Sequence, residues 1–588
     1  MNEIFKLPLP HYVILKASAG SGKTRVLTQR YVYFLLSDEV PYSSLKHILA
    51  ITFSNNATYE MKSRILGWIK DLYFKNQQTM QEFLKILSIE DDDLSFMAEK
   101  ALENILSNYS DFQIKTIDSF VTSIFKASAL DFDYNPDFEI LMNNDAMMNY
   151  TYDLFLKDIE EQSPEIRLFR NIIEKIKKNK DNFLWDPAEE IFLKIKALYS
   201  ISTANNKEFF NPELDEQRRL EAEEKIIELM QKIIEELKSS GLERNKKNQI
   251  YDSFESIIKT RNFKEILDRG ISTPPVNKPK NKNLTQTYED IILLWDEFKE
   301  VVDEYAFLYS KTFYLPYLHI FENFQRKLNV VKQTESKIFI EDINKLLSQY
   351  INEFKVPEIY FRLGEKIHHF LIDEFQDTSP IQWSNLKLLI ENALSENGSL
   401  FVVGDTKQAI YSFRGADYRI MNELEKIDIF PSAHKVVEEL SVNYRSKGMI
   451  LKFVEKFFKE NIVNHSDYCN PAKLTGLDRY EQFSKKEYEQ EGYVEVKTFY
   501  SDDEENEAKI KKDFIDIIND TRARGYSFKD IAVLALKNDH VVTISSWLND
   551  LILPFISYSS LDVRRRKVTF EILNLLKFLD STVDDFSI

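Results

Sequence analysis

Cysteine and long apolar runs are scarce in this 588-residue chain, and each scarcity excludes a class of protein. With a single cysteine, Cys469, the chain alone builds neither a disulfide framework nor a cysteine-ligated zinc or iron–sulfur site. No run approaches the roughly 20 consecutive apolar residues of a membrane span. The amino-terminal stretch, which holds Pro8 and Pro10, carries no cleavage signal. We therefore expect a cytoplasmic protein with no membrane partner.

Basic residues are also in deficit, because 77 lysines and arginines face 95 aspartates and glutamates, for a net charge of −18. This balance argues against a broad basic surface that coats duplex DNA, so any nucleic-acid site should be a local groove. Apolar residues make up 43% of the chain. The length and this apolar content are typical of roughly three to four domains with sizeable cores.

Glycine occurs only 13 times, so the pair Gly20 and Gly22 stands out. They lie in "HYVILKASAGSGKTRVLTQRYVYFLL", which reads as a strand at 12–15, a loop, and a helix from about Lys23. The loop "ASAGSGKT" fits a phosphate-binding loop, with Ala17 where the first glycine usually stands. Its inward backbone N–H groups would hold phosphates, Lys23 would reach the β- and γ-phosphates, and the Thr24 hydroxyl would ligate Mg²⁺. The nucleotide-binding residues predicted here are Ala17, Ser18, Ala19, Gly20, Ser21, Gly22, Lys23 and Thr24.

Short apolar runs alternate with helical patterns, which predicts a parallel sheet covered by helices on both faces. The predicted strands of this sheet are 12–15, 47–53, 114–117, 369–373, 400–405 and 436–442. Long helical patterns with charged outer faces fill residues from about 130 to 335, which predicts a helical insertion. After about 490, "GYVEVKTFY", "DIAVLAL" and "LPFIS" predict the strands of a second α/β domain, which looks unfinished at Ile588.

The stretch "HHFLIDEFQDTSPIQW" ends a buried strand in two carboxylates, Asp373 and Glu374. A nucleotide with Mg²⁺ needs a carboxylate at the end of a neighbouring strand, and Asp373 suits that role. Hydrolysis needs a group that orients or deprotonates water, and Glu374 suits that role. A lone pair of acids would be read as a solvated strand end, but beside a phosphate loop the catalytic reading is favoured.

Two further segments follow predicted strands. In "VVGDTKQAIYSFRGAD", Gln408 is placed to sense the γ-phosphate, while Tyr411 and Phe413 beside Arg414 suit base stacking with phosphate or π contacts. The competing interpretation is that both aromatics are ordinary core. In "LSVNYRS", Arg445 follows a strand and is a candidate arginine finger.

In this order, the motifs resemble those of the UvrD/Rep-type superfamily 1 DNA helicases. The matching segments are "ASAGSGKT", "TFSNNATYEMKSRI", "TIDSF", "LIDEFQDTSPIQW", "VGDTKQAIYSFRGAD" and "NYRS", with weaker matches at "FIEDINKLL", "DIAVLALKN" and "LPFIS". The resemblance spans about residues 10–588, with 130–335 matched by position alone. The phosphate loop is more similar to the AddA/RecB branch, whose full-length members often carry a C-terminal nuclease of the exonuclease V type.

The resemblance implies a RecA-like P-loop NTPase domain with a parallel sheet, a large all-helical insertion, and a second, incomplete RecA-like α/β domain. The expected boundaries are 1–129 with 336–448 for the first motor domain, 130–335 for the insertion, and 449–588 for the second motor domain. The implied activity is ATP-dependent 3′→5′ movement on single-stranded DNA in repair or recombination. ATP and Mg²⁺ are the implied cofactors, and a possible partner is an AddB/RecC-like protein.

The resemblance also assigns roles to residues. It implies Lys23 and Thr24 at phosphates and Mg²⁺, Asp373 and Glu374 at Mg²⁺ and water, Gln408 and Arg445 at the γ-phosphate, and Tyr444 stacked on adenine. It places along single-stranded DNA the residues Thr52, Phe53, Asn55, Thr116, Ser119, Tyr411 and Phe413, with Arg414 linking that groove to the nucleotide.

The sequence departs from the family pattern in four places. No glutamine precedes the phosphate loop to read adenine, Asn56 replaces a common lysine, and Asp118 replaces the histidine of "TIHSF". Nothing after 450 matches the late motifs, including the second arginine that reaches the γ-phosphate. The chain is therefore expected to be the N-terminal part of such a protein, with little DNA-stimulated ATPase and no unwinding on its own. The alternative function is an ATP-binding module that grips DNA or a partner without translocating.

Overall fold

A computed structural model describes residues 4–557, apart from 88, 133, 135–136, 142, 160–162, 180–186, 206–212, 270, 354–358, 361–362, 365 and 500–503, together with 572 and 575–576. The chain divides into two compact units, Met1–Gly492 and Tyr493–Ile588. The last residues before Ile588, where the second α/β domain was expected to be unfinished, lie almost wholly outside the described residues.

The first unit is built on a six-stranded sheet in which every strand pair is parallel. The strands are β1 (His11–Ala17), β2 (Ile48–Thr52), β3 (Ile114–Thr116), β6 (His369–Ile372), β7 (Ser399–Gly404) and β8 (His434–Leu440). Their order across the sheet is β3-β2-β6-β7-β1-β8. All six strands that the sequence predicted for this sheet are confirmed, with ends shifted by at most a few residues.

Helices cover both faces of the sheet, as alternation along β1 demonstrates. Tyr12 and Ile14 lie in one hydrophobic core, and Val13 and Leu15 lie in another on the opposite face. The helices around these cores are α1 (Lys23–Leu36), α2 (Asn55–Tyr73), α3 (Gln77–Leu87), α4 (Asp91–Ser107), α5 (Ile117–Ala127), α14 (Ile340–Glu353), α15 (Pro380–Ser395) and α16 (Arg419–Lys426).

The residues between α5 and α14 form a mainly helical insertion with two hydrophobic cores of its own. One core joins α6 (Asp145–Lys157), α7 (Pro164–Asn179), α8 (Pro187–Asn205) and α13 (Leu315–Thr334). The other joins α9 (Glu213–Ser240), α10 (Phe254–Thr260), α11 (Lys264–Arg269) and α12 (Thr285–Thr312). At the base, β4 (Glu139–Leu141) pairs in parallel with β5 (Lys337–Phe339), so the chain enters and leaves the insertion side by side.

The segment that follows β8 packs on the first unit up to Gly492. It contains β9 (Val442–Asn443), α17 (Gly448–Phe457), a π-helical turn (Phe458–Ile462), α18 (Cys469–Thr475) and β10 (Phe483–Ser484). β9 pairs in parallel with β10, and the Thr406 hydroxyl donates to the Thr475 carbonyl at 2.9 Å. The compact division thus falls after Gly492, whereas the expected second motor domain was to begin at 449.

The second unit contains the helices α19 (Glu504–Ala523) and α20 (Asn538–Asp550), which Lys511 and Asp550 join by an ion pair of 2.9 Å. The three strands predicted at "GYVEVKTFY", "DIAVLAL" and "LPFIS" are wrong for the described residues, which are irregular there. Leu534 and Leu536 are 95% and 92% exposed. Apolar runs of this kind become strands only when a neighbour pairs with them and buries their side chains, and the described part of this unit provides none.

Arg30 and His11 form a buried pair at the amino end of β1. Arg30 is fully buried on α1 and donates to the Ile4 carbonyl at 2.6 Å and to the His11 ring. The other ring nitrogen of His11, Nδ1, lies 3.1 Å from the Pro8 carbonyl and must donate to it. The His11 ring is therefore neutral, and burial together with the nearby charge of Arg30 lowers its pKa to about 3.

Among the helices that the structure describes, none is both long enough and apolar enough to cross a lipid bilayer.

Candidate nucleotide and single-strand site

The predicted site residues gather at one edge of the sheet because all six strands are parallel and end there. The phosphate loop follows β1, and Phe53 and Asn55 follow β2. The acidic pair follows β6, and Gln408 follows β7. Segments that are distant in the sequence therefore meet at this edge.

The phosphate loop turns sharply between β1 and α1. Gly20 and Gly22 have φ angles of +75° and +93°, in the left-handed region that favours glycine. The Ser21 N–H and hydroxyl both donate to the Ser18 carbonyl, at 3.2 and 2.6 Å. Because α1 begins at Lys23 with no acid in its first turn, the helix dipole directs positive potential into the loop. The loop therefore fits an anion such as a polyphosphate.

Lys23 connects two other strand ends. Its Nζ donates to Glu374 Oε2 at 2.7 Å and to Gln408 Oε1 at 3.3 Å. Gln408 is oriented in turn by a hydrogen bond from its Nε2 to Asp405 Oδ2 at 2.7 Å. The structure thus brings together Lys23 and Gln408, which the sequence assigned to the phosphates, and Glu374, which it assigned to Mg²⁺ and water.

Asp373 is buried beside the start of α1. Its Oδ1 accepts from the Glu374 N–H at 3.0 Å, and the Thr24 hydroxyl also bonds to its carboxylate. Burial, followed by the charge of Glu374, raises the pKa of Asp373 to about 6, although Lys23 and these hydrogen bonds oppose the shift. A hydroxyl and a carboxylate are the hard oxygen ligands that Mg²⁺ prefers, so Thr24 and Asp373 fit the expected metal.

Glu374 is held in an unusual backbone conformation, with φ of +49°. A non-glycine residue in the left-handed region is uncommon and costs of order 1 kcal/mol or more. Gln376, which the sequence did not single out, donates to Glu374 Oε2 at 2.7 Å and accepts from the Asp405 N–H at 2.9 Å. Gln376 therefore joins the end of β6 to the end of β7. Its position inside "DEFQD" was the available signal.

Asp377 is a second residue to which the sequence gave no role. One of its carboxylate oxygens accepts weakly from Gln376 at 3.5 Å, and the other is buried with no hydrogen-bond partner among the described residues. Burial and then the charge of Glu374 raise the pKa of Asp377 to about 6. Asp377 thus adds to the negative potential around Lys23.

Tyr444 and Arg445 lie against the phosphate loop from the side of β8. The Tyr444 N–H donates to the Gly20 carbonyl at 2.8 Å. A Cβ atom added to Gly20 would lie 2.8 Å from the Arg445 Cβ, which shows how closely the two segments pack. The Tyr444 ring is exposed, with Lys485 Nζ 5.5 Å from its centroid. Both side chains are therefore available to a bound nucleotide.

Three aromatic rings form a row beyond the ends of β2 and β7. Phe53 and Tyr411 have ring centroids 4.5 Å apart, and Tyr411 and Phe413 are 6.0 Å apart. The Arg414 guanidinium lies 5.4 and 5.7 Å from the centroids of Tyr411 and Phe413. Phe413 is 78% exposed, so the interpretation of this residue as ordinary core is wrong. A row of two half-buried rings and one exposed ring, with a cation beside it, is suited to stacking on unpaired bases.

Thr52 and Asn55 differ in accessibility. Thr52 is 1% exposed, and its hydroxyl bonds to the Ser54 carbonyl at 3.2 Å and to the Thr58 hydroxyl at 2.6 Å. It stabilises the turn into α2 and is covered. Asn55 is exposed in the first turn of α2, where a ligand can reach it.

Thr116 caps α5, because its hydroxyl oxygen accepts from the Ser119 N–H at 3.2 Å. Ser119 is exposed, and its own hydroxyl accepts from Thr116 at 2.8 Å. Asp118, the acid that stands where a histidine is usual, accepts from Gln382 Nε2 at 3.0 Å. This bond ties α5 to α15 and accounts for an acid at this edge.

Two family models match the chain. The model of the UvrD/REP helicase N-terminal domain matches residues 3–427, and that of the UvrD-like helicase C-terminal domain matches residues 439–588. The matched residues include the phosphate loop, the acidic pair and the aromatic row.

Curated relatives are longer than this chain. An ATP-dependent helicase/nuclease subunit of Staphylococcus haemolyticus is 25% identical over 97% of this chain and 49% of its own length. The protein of the same name from Streptococcus pneumoniae is 24% identical over 90% of this chain and 45% of its own length. The RecB protein of the RecBCD enzyme of Buchnera aphidicola is 27% identical over 78% of this chain and 39% of its own length. The chain therefore spans about half, or less, of the length of these relatives.

Proposed function

Because the chain belongs to the UvrD/REP helicase family, we propose that it acts as an ATP-dependent DNA helicase or translocase in repair or recombination. It couples ATP hydrolysis to movement on single-stranded DNA. The observation that carries the proposal is the shared sheet edge, where Lys23, Glu374 and Gln408 meet and where Tyr411 and Phe413 of the aromatic row lie on the same loop as Gln408.

In the proposed reaction the phosphate loop binds the triphosphate through backbone N–H groups, and Lys23 exchanges Glu374 for the β- and γ-phosphates. Thr24 and Asp373 hold Mg²⁺, which when bound neutralises phosphate charge. Glu374, released from Lys23, orients the attacking water. Gln408 and Arg445 contact the γ-phosphate, and the exposed Tyr444 ring stacks on adenine.

Single-stranded DNA runs along Phe53, Tyr411 and Phe413, with Asn55 and Ser119 at its backbone. The loop from Gln408 to Arg414 is one short segment, so a change at the γ-phosphate moves Tyr411 and Phe413 directly. We take the 3′→5′ direction, the cytoplasmic location and an AddB/RecC-like partner from the family resemblance. Duplex DNA is the substrate that such movement would separate.

The test is ATPase activity of the chain with and without single-stranded DNA, together with strand displacement from 3′-tailed and 5′-tailed duplexes. DNA-stimulated ATPase with displacement of the 3′-tailed duplex supports this proposal over the expectation, drawn from the missing late motifs, that the chain shows little of either. Lys23→Ala should abolish every signal. Lys46→Ala, which removes an exposed lysine near the amino end of β2, should leave each signal unchanged. DNA-independent ATPase, or displacement of the 5′-tailed duplex alone, would contradict the proposal.

A second candidate is an ATP-binding module that grips DNA without moving along it. The absence of strands in the described residues 493–557 favours it, because a second RecA-like domain closes the ATP site in such motors. This candidate predicts DNA binding that responds to ATP, without steady-state turnover or strand displacement.

A further inference from the structure

A buried pair of amides joins the phosphate loop to the segment that carries Arg445. Asn443 and Gln482 are 3% and 6% exposed. Asn443 Nδ2 donates to the Ala19 carbonyl at 2.7 Å, and Gln482 Nε2 donates to the same carbonyl at 3.1 Å. The Ala19 carbonyl therefore has both lone pairs occupied by side chains that come from far along the chain.

The two amides also bind each other and the turn that follows β9. Asn443 Nδ2 donates to Gln482 Oε1 at 3.1 Å, and the Tyr480 hydroxyl donates to the same oxygen at 2.9 Å. Asn443 Oδ1 accepts the N–H groups of Arg445 and Ser446, each at 2.8 Å. A single amide thus fixes the phosphate loop with its nitrogen and the turn of Arg445 with its oxygen.

Asn443 packs closely against the phosphate loop. The neighbouring Gly20 has φ of +75°, and a Cβ atom there would lie 2.7 Å from Asn443 Oδ1. Gln482 is set by the pairing of β9 with β10, which aligns Asn443 with Ser484. If the strand that follows Gln482 moved, the phosphate loop and the turn of Arg445 would therefore both shift.

We propose that Gln482 is a positioning residue that holds Arg445 and the phosphate loop at the relative position in which both contact ATP. This inference rests on the proposed function, because it takes Arg445 as a contact to the γ-phosphate. Gln482 lies outside every motif that the sequence presents. Its action is indirect: it orients Asn443, and Asn443 orients the backbone on which Arg445 stands.

The measurement is the ratio of the ADP and ATP dissociation constants, determined by titration calorimetry on the full chain with Mg²⁺ and a non-hydrolysable ATP analogue. Gln482→Ala should lower this ratio about five- to tenfold, the worth of one buried hydrogen bond. In the Arg445→Ala background, Gln482→Ala should change the ratio by less than about twofold, because the contact to the γ-phosphate is already absent.

Three further variants sharpen the result. Gln482→Glu turns a carboxylate oxygen toward the Ala19 carbonyl and should lower the ratio at least as much as Gln482→Ala. Gln482→Met preserves volume and replaces the alanine variant if the latter unfolds in a thermal melt. Glu481→Ala removes an exposed neighbour and should change nothing.

Two outcomes overturn the inference. One is an equal loss of ADP and ATP affinity, which means that Gln482 supports the phosphate loop alone. The other is a fall in the ratio that is the same with and without Arg445. Failure of the proposed function is distinguishable, because the unaltered chain would then bind neither nucleotide, or Lys23→Ala would bind both normally.

Discussion

Replacing Phe413 by alanine tests whether the aromatic row binds single-stranded DNA. The ring is 78% exposed, so its removal gives up little buried apolar area, and the free energy of unfolding should change by less than about 0.5 kcal/mol. Stacking of one base on an aromatic ring is worth roughly 1–3 kcal/mol. Affinity for single-stranded DNA should therefore fall about 5- to 150-fold, with nucleotide affinity unchanged.

Phe430 provides the matched control. It is fully buried, edge-on to Tyr12 at 5.5 Å and to Trp383 at 6.2 Å, so Phe430→Ala should destabilise the fold by about 3–5 kcal/mol. Fluorescence anisotropy of a labelled oligothymidine, at fixed salt, reports the affinity, and thermal melts report stability. Unchanged DNA affinity of a folded Phe413→Ala protein would refute the stacking role. A large loss of stability would mean that the ring is part of a core.

Three other perturbations test the nucleotide site and the buried pair of Arg30 and His11. Lys23→Ala should abolish Mg-ATP binding in a fluorescent-nucleotide titration, and unchanged affinity would rule out the phosphate-loop assignment. Glu374→Gln should keep Mg-ATP binding, since Thr24 and Asp373 remain. In a longer chain that carries the late motifs it should lose about 10²–10⁴-fold in turnover, whereas equal turnover there would exclude a role in activating water. For His11, the lowered pKa means that the unfolded state binds the extra proton below pH about 6.5. Acidification from pH 7.5 to 5 should therefore cost about 2 kcal/mol in urea unfolding, and His11→Gln should lose less by that amount.

The sheet and its edge were predictable from the sequence because buried parallel strands appear as short apolar runs with polar residues directly after them. β6 and β7 illustrate this, since "HFLI" and "SLFVVG" are followed within a few residues by Glu374 and Gln408, which contact Lys23. The strands proposed after 490 had the same composition and failed. A local apolar run does not say whether a neighbouring strand is present.

The connections between motifs were not predictable, because they depend on packing between distant segments. Gln482 is an ordinary glutamine in the sequence, and only its partners in space give it a role. Gln376 lies inside "DEFQD", but its bond to Asp405 at the end of β7 follows only from the packing of the two strands. Thr52 is the reverse case. Its place in a motif suggested contact with DNA, which stays a prediction, while the structure shows its hydroxyl bonded within the turn into α2.

The strand order also bears on how the chain is made on the ribosome. β1 and β2 emerge early, yet β6 and β7 lie between them in the sheet, and β6 begins about 250 residues after β3 ends. At roughly 5–20 residues per second, translation leaves the first three strands without their central neighbours for about 13–50 s. During that interval α1 to α5 can already pack on β1 and β2, but the strand edges that pair with β6 and β7 are open and α14 and α15 are not yet made, while the insertion, with its own cores, can already fold. Nascent chains stopped within the insertion should therefore be the species that chaperones retain and proteases cleave near the amino terminus.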